Sequence, residues 1–116
     1  MNLVLKATQF SALKHRNQRR KDGKTPYIIH PISVAMILAE IGGIDDPEIL
    51  SAALLHDTIE DTDTSAHELD KEFGSRVRKI VEELTDNNQL TFTQRKQLQI
   101  DNAPHLSKGA TLVNIA

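Results

Sequence analysis

Ala52, Ala53, Leu54 and Leu55 run directly into His56 and Asp57, and Glu60 and Asp61 follow within one further helical turn. The apolar half of this stretch asks to be buried on every side, yet it ends in an imidazole and three carboxylates. If the helix continues, His56 with Glu60 and Asp57 with Asp61 form two i, i+4 pairs on adjoining faces, so their donors can converge on one point. A divalent cation there satisfies all of them, whereas an empty cluster of this charge density is costly. A plainer reading also fits: His56 and Asp57 end the helix, and the residues from Glu60 to Asp63 form a solvated loop. His30 favours the metal. It lies between the extended Tyr27, Ile28 and Ile29 and the helix-opening Pro31, so a stiff backbone on both sides directs its imidazole. The chain has no cysteine, so any metal must take nitrogen and oxygen donors.

A basic segment, Lys14 to Lys21, precedes that histidine. Continued as a helix, it places Arg16 and Arg20 on one face and Gln18 and Lys21 on another, and guanidinium groups hold phosphate by paired hydrogen bonds. Residues 1–24 carry seven Lys or Arg against one acid, and residues 25–116 carry seven against fifteen. A basic arm beside an acidic body suggests a phosphate grip next to a cation site, although two solvated faces explain the same charges. Nucleic acid is the weaker partner. Three Phe, one Tyr and no Trp leave little for base stacking, and the acidic body repels a long polyanion.

The elements that must position these residues read as helical throughout, with no run of alternating apolar and polar residues, so the expected fold class is all-α. Asn2 caps a first helix expected to reach about Arg20, and Asp22, Gly23 and Lys24 then turn the chain. Pro31 opens a second helix of about eleven residues that Gly42 and Gly43 close. Asp46, Pro47 and Glu48 start a third, expected to reach Asp57 or beyond. Thr64 or Ser65 caps a fourth, ending near Phe73 and Gly74. Ser75 caps a fifth, whose Arg76, Arg78, Lys79, Glu82 and Glu83 make a solvated face. Asp86 to Leu90 is a polar loop. Thr91 or Thr93 begins a sixth helix, which Pro104 interrupts or follows, and a last apolar run extends from Ala110 to Ala116.

At 116 residues, 39% hydrophobic and 26% charged, the chain is expected to be one ordinary soluble domain with a single core. Its longest strongly apolar stretch, Ile49 to Leu55, is far short of the ~18 residues that span a bilayer. Lys6 and Gln9 interrupt what would otherwise be a leader peptide, so no membrane partner and a cytoplasmic address are the default expectations. His15, His67 and His105 have no motif partners and read as surface or packing residues.

Taken in order, Arg20, Lys21, Asp22 and Gly23; Thr25, Pro26, Tyr27 and Ile28 with His30 and Pro31; Ala52 through Thr58 with Glu60, Asp61 and Thr62; and Phe73, Gly74, Val77 and Glu83 through Asp86 carry a resemblance. They resemble the HD-type hydrolase domain of RelA/SpoT homologues, most of all its stand-alone metazoan-type and small bacterial alarmone hydrolase members. The resemblance covers essentially the whole chain. It implies a compact helical bundle, residues 1–116 forming a single hydrolase domain. It also implies metal-dependent removal of pyrophosphate from the 3′ position of (p)ppGpp, leaving GDP or GTP. In those terms His30, His56 and Asp57 are ligands of one divalent ion, usually manganese in this family. Glu60 and Asp61 match the acidic pair that positions or activates water. Arg20 and Lys21 match the nucleotide and phosphate side of the pocket, with Arg95 and Lys96 as further phosphate contacts.

The family's fourth ligand is an aspartate following a Leu-Ala or Ile-Ala pair. Here Ile115 and Ala116 end the sequence, so the chain reads as cut short at its C-terminus. Two alternatives therefore stand beside the alarmone reading: a phosphatase on a related nucleotide such as NADPH, and a catalytically silent nucleotide-binding module. A helical bundle that only mediates interactions would hold no metal. A second, synthetase domain is not expected in 116 residues, and a homo-oligomer is compatible with the sequence.

Overall fold

Asp46 accepts the Glu48 amide at 2.9 Å and Pro47 fills the first helical position, so helix α3 (Pro47–Leu55) begins where its cap and proline dictate. Everything that follows in α3 is apolar or small. Ala52, Ala53, Leu54 and Leu55 are buried, as are Ile49 and Ser51, and the helix forms the centre of the fold. The computed structural model describes residues 1–86 and 90–116 and is helical over most of that length. Helices α1 (Asn2–Lys14), α2 (Ile29–Met36), α6 (Ser75–Leu84) and α8 (Lys108–Ile115) all pack against α3, and α5 (Ala66–Phe73) packs against α6. Among the described residues there is no strand, only an isolated antiparallel bridge between Arg19 and Pro26.

The outer helices are amphipathic and turn their apolar stripes inward: Leu69 and Phe73 from α5, Val77, Ile80 and Val81 from α6, Ala110 and Val113 from α8. Phe10 of α1 meets Phe73 edge to face at 5.3 Å, an arrangement the ring quadrupoles favour. Gly109 allows α8 to approach α6, because a Cβ there would sit 2.8 Å from Ile80 Cδ1. Helix α2 runs on into a wider turn over Ile37–Ile41, in which the Gly42 amide donates to the Ile37 carbonyl five residues back. Gly43 then takes φ +66° and ends it. Helix α7 (Phe92–Asn102) has a complete capping box between Thr91 and Gln94 but no buried residue. A 3₁₀ turn over Ala103–His105 takes in Pro104 before Ser107 caps α8. No described helix is long and apolar enough to cross a membrane.

Several expected boundaries are corrected. Helix α2 begins at Ile29 rather than Pro31, with Ile28 already in the α region, so His30 lies within the helix and not after an extended segment. Asn2 and Ser75 are the first residues of α1 and α6 rather than their caps. Helix α1 stops at Lys14 rather than near Arg20. His15 leaves the helix to bury its ring, and residues 18–27 close a small loop in which the Arg20 amide donates to the Thr25 carbonyl and the Tyr27 amide to the Gln18 carbonyl. Arg16 and Arg20 therefore share no helical face, nor do Gln18 and Lys21. Helix α3 ends at Leu55, short of the expected Asp57; His56 and Asp57 form a break before the single turn α4 (Thr58–Asp61). The polar loop expected from Asp86 to Leu90 falls largely on Asn87, Asn88 and Gln89, outside the described residues.

Candidate metal centre

His30 comes from the first turn of α2, and His56 and Asp57 from the break after α3, so two segments of chain meet at one end of the buried helix. One donor atom from each of the three lies within 4.8 Å of the others. The Asp57 Oδ2 oxygen stands 3.1 Å from His56 Nε2 and 3.6 Å from His30 Nε2, and the two imidazoles meet edge to face at 5.3 Å. All three side chains are half-buried, which leaves them a route to solvent while reducing the water around them.

The hydrogen bonds decide which nitrogen of His56 faces the cluster. Its Nδ1 is 2.6 Å from the Ala53 carbonyl, which can only accept, so Nδ1 carries the proton and Nε2 presents its lone pair to Asp57. A lone pair pointed at a carboxylate oxygen is repulsive unless something positive lies between them. A proton serves in the metal-free protein. Burial pushes the His56 pKa down, but the hydrogen bond and charge of Asp57 outweigh it and hold the imidazole above its ordinary value. Burial likewise pushes Asp57 up, and the His56 bond and charge, with the Tyr27 hydroxyl, more than reverse this. His30 moves the other way: burial lowers it by more than the Asp57 charge raises it, so it keeps a free lone pair at neutral pH. Two imidazole nitrogens and a carboxylate are the donor set of a divalent transition ion. An ion that holds donors at about 2.1 Å separates them by at most about 4.2 Å, so only a small contraction is needed.

Glu60 and Asp61 flank this group without joining it. With α3 broken at His56, the two i, i+4 pairs expected on one continuous helix do not form, and each acid turns to a different neighbour. Glu60 Oε1 accepts the Asp86 amide at 2.8 Å, and burial, supported by the charges of Asp86, Asp61 and Asp57, raises its pKa. Asp61 Oδ2 accepts from Gln18 Nε2 at 3.5 Å. On the other side of His30, Arg20 and Lys21 line an open groove of about 660 Å³ together with Gln18, Thr25 and Tyr27. The Arg20 guanidinium lies 6.0 Å from the centre of the Tyr27 ring. Asp22 holds the loop beneath them, its Oδ1 accepting the Lys24 and Thr25 amides, each at 2.9 Å. Arg95 stands apart, in a second cleft of about 330 Å³ between α6 and α7 that also contains Asp86 and Asn114. Lys96 faces the Phe92 ring of its own helix.

Sequence reasoning missed Tyr27, whose hydroxyl donates to Asp57 Oδ2 at 2.7 Å, and Asp86, which holds Glu60. These contacts span 30 and 26 residues, and no spacing rule reaches across such gaps.

The HD domain model of the protein families matches residues 7–110, and so includes the whole donor cluster. The chain belongs to the HD domain family. Among curated relatives, the chain is 55% identical over 115 residues to a Xenopus tropicalis protein named guanosine-3′,5′-bis(diphosphate) 3′-pyrophosphohydrolase MESH1, covering 98% of this chain and 64% of that one. The Homo sapiens protein of the same name is 55% identical over 114 residues, with 97% and 64% covered. An Aquifex aeolicus guanosine-3′,5′-bis(diphosphate) 3′-pyrophosphohydrolase is 48% identical over 89 residues, 77% of this chain but 12% of that protein. A solved structure described as a metazoan orthologue of SpoT that hydrolyses ppGpp superposes with a TM-score of 0.94 at 43% identity, covering 99% of this chain and 65% of its own. The chain thus spans somewhat under two thirds of the length of the MESH1 relatives.

Proposed function

We propose that this HD domain carries out metal-dependent hydrolysis of the 3′-pyrophosphate of (p)ppGpp, releasing pyrophosphate and GDP or GTP, in the cytoplasm. The observation that carries the reading is the convergence of His30, His56 and Asp57 within 4.8 Å, beside a groove lined by Arg20 and Lys21. The names of the relatives agree with it.

His30, His56 and Asp57 would hold the ion, manganese being the one we assign, and when bound it supplies Lewis acidity to a phosphoryl oxygen and to water. The chain's own residues do the rest. Arg20 and Lys21 grip the phosphates of the guanine nucleotide and offset the charge that builds on them as the 3′ oxygen–phosphorus bond breaks. Glu60 and Asp61 orient the attacking water and take up its proton; a carboxylate raised by burial and like charges, as Glu60 is, makes the stronger base. Water adds its oxygen to the phosphorus next to the ribose, the pyrophosphate departs, and the 3′ oxygen leaves as a hydroxyl with the proton returned to it.

The test is manganese-dependent release of pyrophosphate from ppGpp by the protein as its full coding sequence specifies it. Turnover that disappears in Glu60→Ala/Asp61→Ala while nucleotide binding persists is the expected result. If the protein binds manganese and leaves ppGpp intact but dephosphorylates NADPH, the substrate assignment falls.

A further inference from the structure

His15 is buried to 2% exposure at the end of α1, and it is an expensive residue to bury for packing alone. Its Nδ1 lies 2.7 Å from Gln18 Oε1, while its Nε2 has no hydrogen-bond partner among the described residues, like the buried Ser11 and Ser51 hydroxyls. An apolar side chain of this size would fill the space without leaving a buried nitrogen unsatisfied. The side-chain bond to Gln18 is what distinguishes this imidazole from an apolar filler.

That bond has a direction. Asp61 as a carboxylate can only accept, so Gln18 must turn its amide nitrogen toward Asp61 Oδ2 and its carbonyl oxygen toward His15. His15 Nδ1 must then donate. The result is one consistent chain, from the His15 N–H through the Gln18 amide to Asp61. On its other face the His15 ring packs against Tyr27, with centroids 4.9 Å apart, and the Tyr27 hydroxyl donates to Asp57 Oδ2. One buried imidazole thus supports two arms, one through its hydrogen bond to Gln18 and one through ring packing on Tyr27, and each ends on an acid of the site.

We propose that His15, Gln18 and Tyr27 form a positioning network for this centre, in which Tyr27 orients the Asp57 carboxylate toward the metal and Gln18, held by His15, orients Asp61 toward the reacting water. The network rests on the metal-centre reading above and assigns work to residues that reading leaves out. None of the three touches the reacting atoms; each acts by fixing the rotamer of a group that does.

The two arms predict different losses. Tyr27→Phe keeps the ring against His15 and removes only the hydroxyl, so the manganese dissociation constant, read by calorimetry, is expected to rise about 10- to 100-fold with the thermal midpoint in EDTA unchanged. Gln18→Met keeps the length of the side chain and removes both bonds; kcat is expected to fall about tenfold or more with KM and manganese affinity kept. His15→Phe keeps a ring in place, and His15→Phe/Gln18→Met is expected to be no slower than the slower single variant, because the two act through one chain. If Tyr27→Phe binds manganese as tightly as the parent, or if the losses of His15→Phe and Gln18→Met multiply, the network is overturned while the metal centre stands. If the parent protein itself binds no manganese, the metal-centre reading fails, and the network with it.

Discussion

At the scale of single residues, the site turns on which atom of His56 carries a proton. The Ala53 carbonyl claims Nδ1–H, so Nε2 is left for a proton or, in the proposed centre, for the metal, and the two would compete. The neighbouring Asp57 charge raises the His56 pKa, so in the metal-free protein the imidazole contributes stability below its unfolded value of about 6.5 and loses that contribution as pH rises through the higher folded value. Manganese affinity should run the opposite way, climbing as pH rises through the same range. Calorimetric titrations at several pH values would show it, and a flat profile would remove His56 from the ligand set. His56→Ala should abolish tight binding at every pH. The chemical identities of His30, His56, Asp57, Glu60 and Asp61 were legible as a group of donors beside an apolar helix. Their division into a converged trio and two flanking acids was not, because it depends on α3 ending one turn early.

At the scale of elements, α3 and the loop of residues 18–27 matter most. Leu55 is fully buried at the last position of α3, directly before His56. Leu55→Ala should cost about 2–5 kcal/mol in chemical denaturation, and a value under ~1 kcal/mol would mean that α3 is not the centre of the core. The loop depends on Asp22, whose pKa is pulled down to about 2 by the Thr25 hydroxyl and the Thr25 and Lys24 amides. A lowered acid gives its support above its unfolded value and loses it as pH falls through about 2, so the loop is held throughout the working range. Asp22→Ala should free Arg20 and Lys21 and raise KM for the nucleotide with kcat nearly kept. A fall in kcat alone would show that the loop does more than hold phosphate. Caps and prolines made the starts at Asp46 with Pro47, Ser65 and Thr91 readable. The end of α1 was not readable, since the basic residues from Arg16 to Lys21 are as compatible with helix as with a loop. What stops the helix is the burial of the His15 ring against Tyr27, a contact made twelve residues downstream.

At the scale of the whole molecule, the candidate donors come from α2 and from the junction that follows α3, and α2 and α3 pack against each other, so metal binding through these donors would be linked to folding. Manganese at about 100 times its dissociation constant should add about 2.7 kcal/mol, a rise in thermal midpoint of the order of 10 °C that EDTA reverses. A midpoint indifferent to both would mean that the three donors do not act together.

The sequence by itself determined the all-α class, the buried helix and the residue types of the metal centre, because caps, prolines and apolar periodicity act over a few residues and the absence of cysteine leaves only nitrogen and oxygen donors. The tertiary structure alone decided which donors meet. Tyr27 reaches Asp57 and Glu60 reaches Asp86 only after the chain has packed, and it is the bundle, not the local spacing, that sets the loop carrying Arg20 and Lys21 beside one end of α3.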